Sequence, residues 1–247
     1  MNYYYITGTS RGIGKAFAEH LLENPSNKVI GIARQKTIDH KNYSHFFLDL
    51  SDINELCKFK FELHANAQKI YLINNAGTLG FIKPVGKLDA SIIAKSYTIN
   101  LIAPSILTNE FMNCYETTDA EKVIVNISSG AGKYPVDGWA TYCASKAGLD
   151  MFSKVVDEEQ KVRNEHAETS IHKGFKIVAI APGVVDTQMQ DDIREASKKD
   201  FSNLEKFINY KANNELKSPV EISRKYFSIL NNLNQIKNVI SSVKDYE

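Results

Sequence analysis

The sequence predicts an α/β fold: one Rossmann-type, doubly wound parallel sheet of about seven strands with helices on both faces, in a single domain over residues 1–247. Three observations carry that expectation. Short apolar runs alternate with longer amphipathic stretches along the whole chain. The runs lack clean polar alternation, as strands buried on both faces of a parallel sheet do. Strand alternating with helix gives βαβ crossovers, and those make a parallel sheet. A chain of 247 residues suits such a domain and can bury a sizeable core.

The expected strands are 3–7, 28–33, 45–48, 70–74, 123–128 and 175–181, with a weaker one at 239–243. Most are rich in Ile, Val, Tyr or Phe, residues that suit a pleated, buried surface. Between them, 15–23 carries Ala16, Phe17, Leu21 and Leu22 on one side, and 53–67 places Leu56, Phe59 and Leu63 at helical spacing. The stretches 92–115 and 142–167 are long and similarly patterned. Residues 186–217 are mostly polar and charged, with helical signals but no strand. They interrupt the alternation where an α/β protein can carry a lid. No linker, repeat or low-complexity stretch divides the chain.

Composition narrows the function classes. The chain is 43% hydrophobic and 24% charged with a formal net charge of +1, which excludes collagen-like and wholly disordered classes and argues against a nucleic-acid partner. Cys57, Cys114 and Cys143 form no close pair, so neither a disulfide framework nor a zinc site is expected, and a reducing, cytoplasmic setting fits. The six histidines are dispersed, so no metal is predicted. The N-terminus has no basic segment followed by an apolar one, and no apolar run approaches the roughly 20 residues of a membrane span.

Thr7-Gly8-Thr9-Ser10-Arg11-Gly12-Ile13-Gly14 follows the first strand and opens the first helix. Glycines there permit a tight turn and close approach of backbone to a pyrophosphate, and the free N–H groups at the helix start favour the anion. The spacing is not that of a Walker A loop, since five residues separate Gly8 from Gly14 and Ala16 follows Lys15. Position in the first βαβ unit points to a dinucleotide. Folds that prefer NAD place an acid after the second strand, on the ribose 2′-OH. Here that place is Arg34, with Arg11 in the glycine loop. Guanidinium groups suit a 2′-phosphate, so NADP(H) is the expected cofactor. The competing reading is that both arginines are solvated surface residues.

Tyr142 and Lys146 are four residues apart near the start of a predicted helix, hence on one face. An ammonium near a phenol favours phenolate and lowers its pKa, so this Tyr could exchange a proton with a carbonyl or alcohol oxygen near neutral pH. Ser128 and Ser129 end the fifth strand, at the sheet edge where α/β folds bind ligands. The Ser129 hydroxyl could bond a substrate carbonyl oxygen beside Tyr142, whereas Ser128 reads as a strand-end cap.

Together the glycine loop, Asn74-Asn75-Ala76-Gly77, Asn100, Ser129, Tyr142, Lys146 and Pro182-Gly183 resemble the short-chain dehydrogenase/reductase family over essentially the whole chain. The stretches 127–133 and 138–143 look like its sepiapterin reductase branch. The resemblance implies Tyr142 as general acid, Lys146 as its pKa-lowering and ribose-binding partner, Ser129 as the carbonyl-orienting group, and Asn100 as holder of a relay water. It implies Ile6, Gly8, Ser10, Arg11, Gly12, Ile13, Gly14 and Arg34 on the dinucleotide. Asp49 and Leu50 would flank the adenine, Asn75, Ala76 and Gly77 would line the adenosine side, Val185 and Thr187 would contact the nicotinamide carboxamide, and Pro182 and Gly183 would also bind the cofactor. Without it, an Asn in a long helix reads as structural.

The substrate side is less defined. Trp139 either walls a pocket for a flat ligand or packs between loop and helix. Met189, Phe201 and Phe207 either meet substrate or form the buried side of a lid. Cys143 reads as a packing residue, and 157–168 as a solvated helix face or loop. Sepiapterin reductases anchor the pterin through an acid near the C-terminus. Asp245 is a loose candidate beside Lys244, which favours a ketone or aromatic 1,2-diketone over a pterin. The expected activity is an NADPH-dependent carbonyl reductase acting on a small-molecule substrate, with no nucleic-acid or membrane partner. The alternatives are a sepiapterin-like or other small-carbonyl reductase, and a non-catalytic NADP(H) sensor. The resemblance also implies a homodimer or homotetramer through the two long helices.

Overall fold

The structure is a computed structural model that describes residues 1–166 and 174–246. Its strands are β1 (Asn2–Thr7), β2 (Asn27–Ala33), β3 (Tyr43–Phe47), β4 (Lys69–Asn74), β5 (Glu121–Ile127), β6 (Phe175–Ala181) and β7 (Ile240–Ser242). Its helices are α1 (Gly12–Leu22), α2 (Ile53–Lys58), α3 (Ala90–Tyr97), α4 (Ala103–Tyr115), α5 (Ala140–His166), α6 (Gln188–Arg194), α7 (Leu204–Ala212) and α8 (Pro219–Asn231). The sheet runs β3-β2-β1-β4-β5-β6-β7, every pair parallel. Strand order reverses between β1 and β4, so the chain leaves these strands in opposite directions and opens a crevice at their C-terminal ends.

Alternate residues of the strands feed two cores. Tyr4, Ile6, Val29, Ile73, Val125 and Ile180 meet the buried faces of α1 and α8. Tyr5, Ile30, Ile32, Leu72, Ile124 and Ile177 meet Ala103, Leu107 and Phe111 of α4 and Val156 of α5. Burial on both faces explains the near-continuous apolar runs. All seven expected strands form, displaced by at most a few residues at their ends.

Three helical expectations need correction. The stretch 53–67 is helical only to Lys58, and Phe59 turns extended. Phe46, Phe59, Phe61 and Phe111 then make a chain of edge-to-face contacts at 5.5, 5.0 and 5.4 Å, which alternating extended residues can reach. The stretch 92–115 begins earlier, at an Asp89 side chain that accepts from Ser91 N, and a π-helical turn over Thr98–Ile102 divides it. Helix α8 was not anticipated. Ser218 caps it by accepting from Glu221 N, Pro219 occupies its first turn, and Ile222, Tyr226, Ile229 and Leu230 are buried. The polar segment 186–217 does hold helices, α6 and α7. The end of the stretch 142–167 at Ala167, and residues 167–168 of the charged stretch, lie outside the described residues.

Ala90–Tyr115 taken together is long and apolar enough to cross a membrane, against the expectation of no such segment. Ala103, Leu107, Phe111 and Tyr115 face the core of this sheet. Two polar devices fasten that layer. Lys122 of β5, 1% exposed, donates to the carbonyls of Tyr115 (3.3 Å), Glu116 (3.3 Å) and Thr118 (2.8 Å), placing a cation at the C-terminus of α4. Asn74 Nδ2 donates to Asn126 Oδ1 (2.8 Å), and Asn126 Nδ2 donates to Ser153 Oγ (2.8 Å), linking β4 and β5 to α5 through buried side chains.

Candidate active site

At the switch point, the end of β1 is joined to the end of β4 by one threonine. Thr7 Oγ1 accepts from Asn75 N and Ala76 N, both at 2.9 Å, and Asn75 Nδ2 donates to Thr7 O at 2.9 Å. The chain then turns through Gly8 (φ 74°) and Gly12 (φ 59°), in the left-handed region that side chains resist. Gly14 is required for space. A Cβ there would collide with Asn75 Nδ2 and lie 2.5 Å from the Gly8 carbonyl oxygen. Helix α1 starts at Arg11 with no side chain capping its N–H groups, which leaves them open to a ligand.

A cleft of about 690 Å³ lies over this cradle. Gly8, Ser10, Arg11, Gly12, Ile13, Arg34, Asp49, Leu50, Asn75, Ala76, Gly77, Ser129, Tyr142, Lys146, Pro182, Gly183, Val185, Thr187 and Met189 all line it. Ile6, Gly14, Asn100 and Trp139 do not. Ile6 is wholly buried in the core beneath the loop, and Gly14 acts by letting α1 approach β4. Lys95, Leu79 and Gln190 also line the cleft and were not foreseen. Lys95 belongs to α3, whose sequence carries no dinucleotide signal. Gln190 is buried, and its Oε1 has no partner among the described residues.

Arg34 Nη1 stands 3.9 Å from Asp49 Oδ2, with both side chains substantially exposed. Such a pair is worth at most about 1 kcal/mol, so a phosphate could take the guanidinium from it. Desolvation opposes ionisation of Asp49. Hydrogen bonds from Ser51, with the charges of Arg34 and Lys95, outweigh it and hold the carboxyl below its usual range.

At the other end of the cleft, Ser129 leaves β5 in extended conformation, and its Oγ accepts from Ala131 N at 3.2 Å. Tyr142 and Lys146 lie one turn apart on α5 and are 7% and 4% exposed. Lys146 Nζ donates to Ile127 O at 2.7 Å and sits 5.9 Å from the centre of the Tyr142 ring. Burial pushes the Lys146 pKa down to about 8, against an upward pull from Asp150. Burial also raises the Tyr142 hydroxyl, while its hydrogen bond with Ser129 lowers it. With the Lys146 ammonium held on the Ile127 carbonyl, desolvation is the largest influence on the hydroxyl in this arrangement.

Asn100 is fully buried in the π-helical turn. Its Oδ1 accepts from Thr78 N (2.8 Å), and its Nδ2 donates to Thr78 O (2.8 Å) and Ser145 Oγ (3.1 Å). It faces Lys146 across Gly77, where a Cβ would lie 3.5 Å from Asn100 Oδ1 and 3.7 Å from Lys146 Nζ. Trp139 stands behind Tyr142, edge-on at 5.8 Å and stacked on Phe201 at 5.5 Å, with Phe207 at 5.4 Å. It packs the start of α5 against the α6–α7 segment. Asp245 accepts from Ser242 N at 2.7 Å and does not line the cleft, so the pterin-anchor reading loses its residue.

A parallel sheet with an uncapped, glycine-lined helix start at its switch point, and acid–base side chains on the same edge, defines the class: a dinucleotide-dependent oxidoreductase. The chain matches the family described as short chain dehydrogenase over residues 2–198, and it belongs to that family. Members bind nicotinamide cofactors and act on carbonyl and hydroxyl groups. The chain is 42% identical over 243 residues to a benzil reductase ((S)-benzoin forming) of Bacillus cereus, covering 93% of this chain and 94% of that one. It is 32% identical over 215 residues to sepiapterin reductase of Rattus norvegicus, covering 78% and 77%. Among solved structures, KRED1-Pglu superposes with a TM-score of 0.82 at 25% identity, over 98% of this chain and all of that one.

Proposed function

We propose that this chain is an NADPH-dependent carbonyl reductase that reduces a ketone or 1,2-diketone, benzil among them, to a chiral hydroxyketone. The observation that carries the reading is the meeting of Ser129, Tyr142 and Lys146 at the end of a cleft whose other end is the glycine cradle. The 42% and 37% identities to benzil reductases from two Bacillus species support the substrate class. Bound at the cradle, the nicotinamide cofactor supplies a hydride. The protein's own groups do the rest. Ser129 Oγ orients the carbonyl oxygen, Tyr142 gives that oxygen its proton, and Lys146 holds the ribose and, once its ammonium swings from the Ile127 carbonyl towards the hydroxyl, stabilises the phenolate left behind. Asn100, facing Lys146, keeps the proton path to it ordered. Arg11 and Arg34 line the cleft where a 2′-phosphate would sit, supporting NADP(H) over NAD(H).

The test is NADPH oxidation with benzil and sepiapterin in parallel and NADH as control. Turnover of benzil with NADPH, at least about tenfold above NADH in kcat/KM, is the expected result. Preference for sepiapterin would move the substrate to the pterin class. NADPH binding without turnover of either would favour the sensor reading. The exposed Ile102, Met151 and Val155 on the two long helices are consistent with a homodimer or homotetramer there, which light scattering can check. The three free thiols suit a cytoplasmic setting.

A further inference from the structure

Tyr142, Lys146 and Asp150 occupy successive turns of one face of α5, and only the first two have a part in the reaction proposed above. Asp150 is 6% exposed, an uncommon place for a carboxylate without a task. Its Oδ1 accepts from Ser128 Oγ at 2.5 Å. Four residues on, Gly132 seats the same loop on α5. A Cβ at Gly132 would lie 3.0 Å from Asp150 Oδ2, 3.1 Å from the Lys146 carbonyl carbon and 3.2 Å from Ala147 N. Ser129 therefore sits on a loop fastened to α5 at both ends, once by a charge-assisted hydrogen bond and once by direct backbone contact.

Resting on the catalytic reading, we propose that Asp150 is a positioning residue. Through Ser128 it sets Ser129 against Tyr142, and it stands one turn beyond Lys146 on the same face of α5. It touches neither substrate nor cofactor. The groups facing it are Ser128 at the end of β5, Lys133 on the following turn, and Lys146 and Lys154 on α5. The groove that Asp150 lines together with Lys133 and Lys154 adds Lys176 of β6, Lys237 and the Asp157–Lys161 pair. Burial dominates and raises the Asp150 carboxyl, against the Ser128 bond and the charges of Lys146, Lys133 and Lys154, which lower it. Asp150 in turn is the group that opposes the burial-driven fall of Lys146.

Two substitutions separate the two routes. Asp150→Asn removes the charge but keeps an acceptor for Ser128. Its high-pH limb of kcat should move to lower pH, because Lys146 releases its proton more readily without the anion. Ser128→Ala removes the bond but keeps the charge. Its kcat should fall by about tenfold or more, with KM less affected and the pH limb in place. Both variants should melt cooperatively and bind NADPH within about threefold of wild type. An Asp150→Asn enzyme with unchanged kcat and pH profile would overturn the proposal, as would losses in both variants that vanish when rates are normalised to folded protein. Tyr142→Phe is run alongside. If it keeps turnover, the catalytic reading fails. If it is inactive while Asp150→Asn matches wild type, only the role of Asp150 fails.

Discussion

The two ends of the cleft are built by different means. The cofactor end is made of backbone and short-range sequence: Thr7 to Gly14 is one continuous turn, and its partner Asn75 follows the neighbouring strand. The support behind the Tyr142 end is made of side chains from segments far apart in the chain. Trp139 and Tyr142 come from the start of α5, Phe201 from the loop before α7, and Phe207 from α7. A dinucleotide presents the same phosphates and ribose to every protein that binds it, so fixed backbone donors serve. The aromatic cluster behind Tyr142 lies off the cleft and supports the start of α5 by packing, a task that different apolar residues could fill equally well.

The contrast can be broken by changing one end and reading the other. The largest effect is expected from Tyr142→Phe. It should lower kcat by about 10²–10⁴-fold while the NADPH dissociation constant, from quenching of protein fluorescence, stays near wild type. Survival of turnover would remove Tyr142 from the chemistry. Next is Phe201→Ala, which strips the 1%-exposed ring stacked on Trp139. A loss of about 3–5 kcal/mol in unfolding free energy is expected from denaturant titration. The KM for the carbonyl should rise and NADPH affinity should hold. If NADPH affinity falls equally, the two ends are not separable. The smallest is Arg34→Asp, which should shift kcat/KM towards NADH by about tenfold and leave the ranking of carbonyl substrates unchanged. That corresponds to about 1.4 kcal/mol. Unchanged cofactor preference would return Arg34 to the solvated surface.

Legibility follows the same division. The strands were readable because burial on both faces forces continuous apolar runs, and the glycine loop because glycine takes the left-handed angles at positions 8 and 12 without strain and Gly14 has no room for a Cβ. The Tyr142–Lys146 spacing was visible as a helix face, and Asp150 lay one turn further along the same spacing without a sequence motif to mark it. The overlong helix at 53–67 shows the limit of periodicity. Leu56, Phe59 and Leu63 fit a helical repeat, yet Phe59 and Phe61 earn more contact when extended. Helix α8 was missed although Ser218, Pro219 and Glu221 are a proper helix start. Trp139 could not be placed from sequence, since its neighbours Phe201 and Phe207 are about sixty residues away.

The buried amides of Asn74 and Asn126 have a consequence for how the site is assembled. They are direct partners in the β4–β5 ladder, and Asn126 is tied on to Ser153 of α5. Parallel apolar strands are otherwise poor at choosing among neighbouring alignments, because one Val or Ile substitutes well for the next. A slip by one position, about 3.3 Å, would put Asn74 opposite Val125 or Ile127 and break its bond to Asn126. Each stranded group then costs about 1–3 kcal/mol. Asn75 is one residue beyond this pair and Ser129 three, so the amides act as a pawl. The pair therefore favours the one alignment that sets the two ends of the cleft at matching heights.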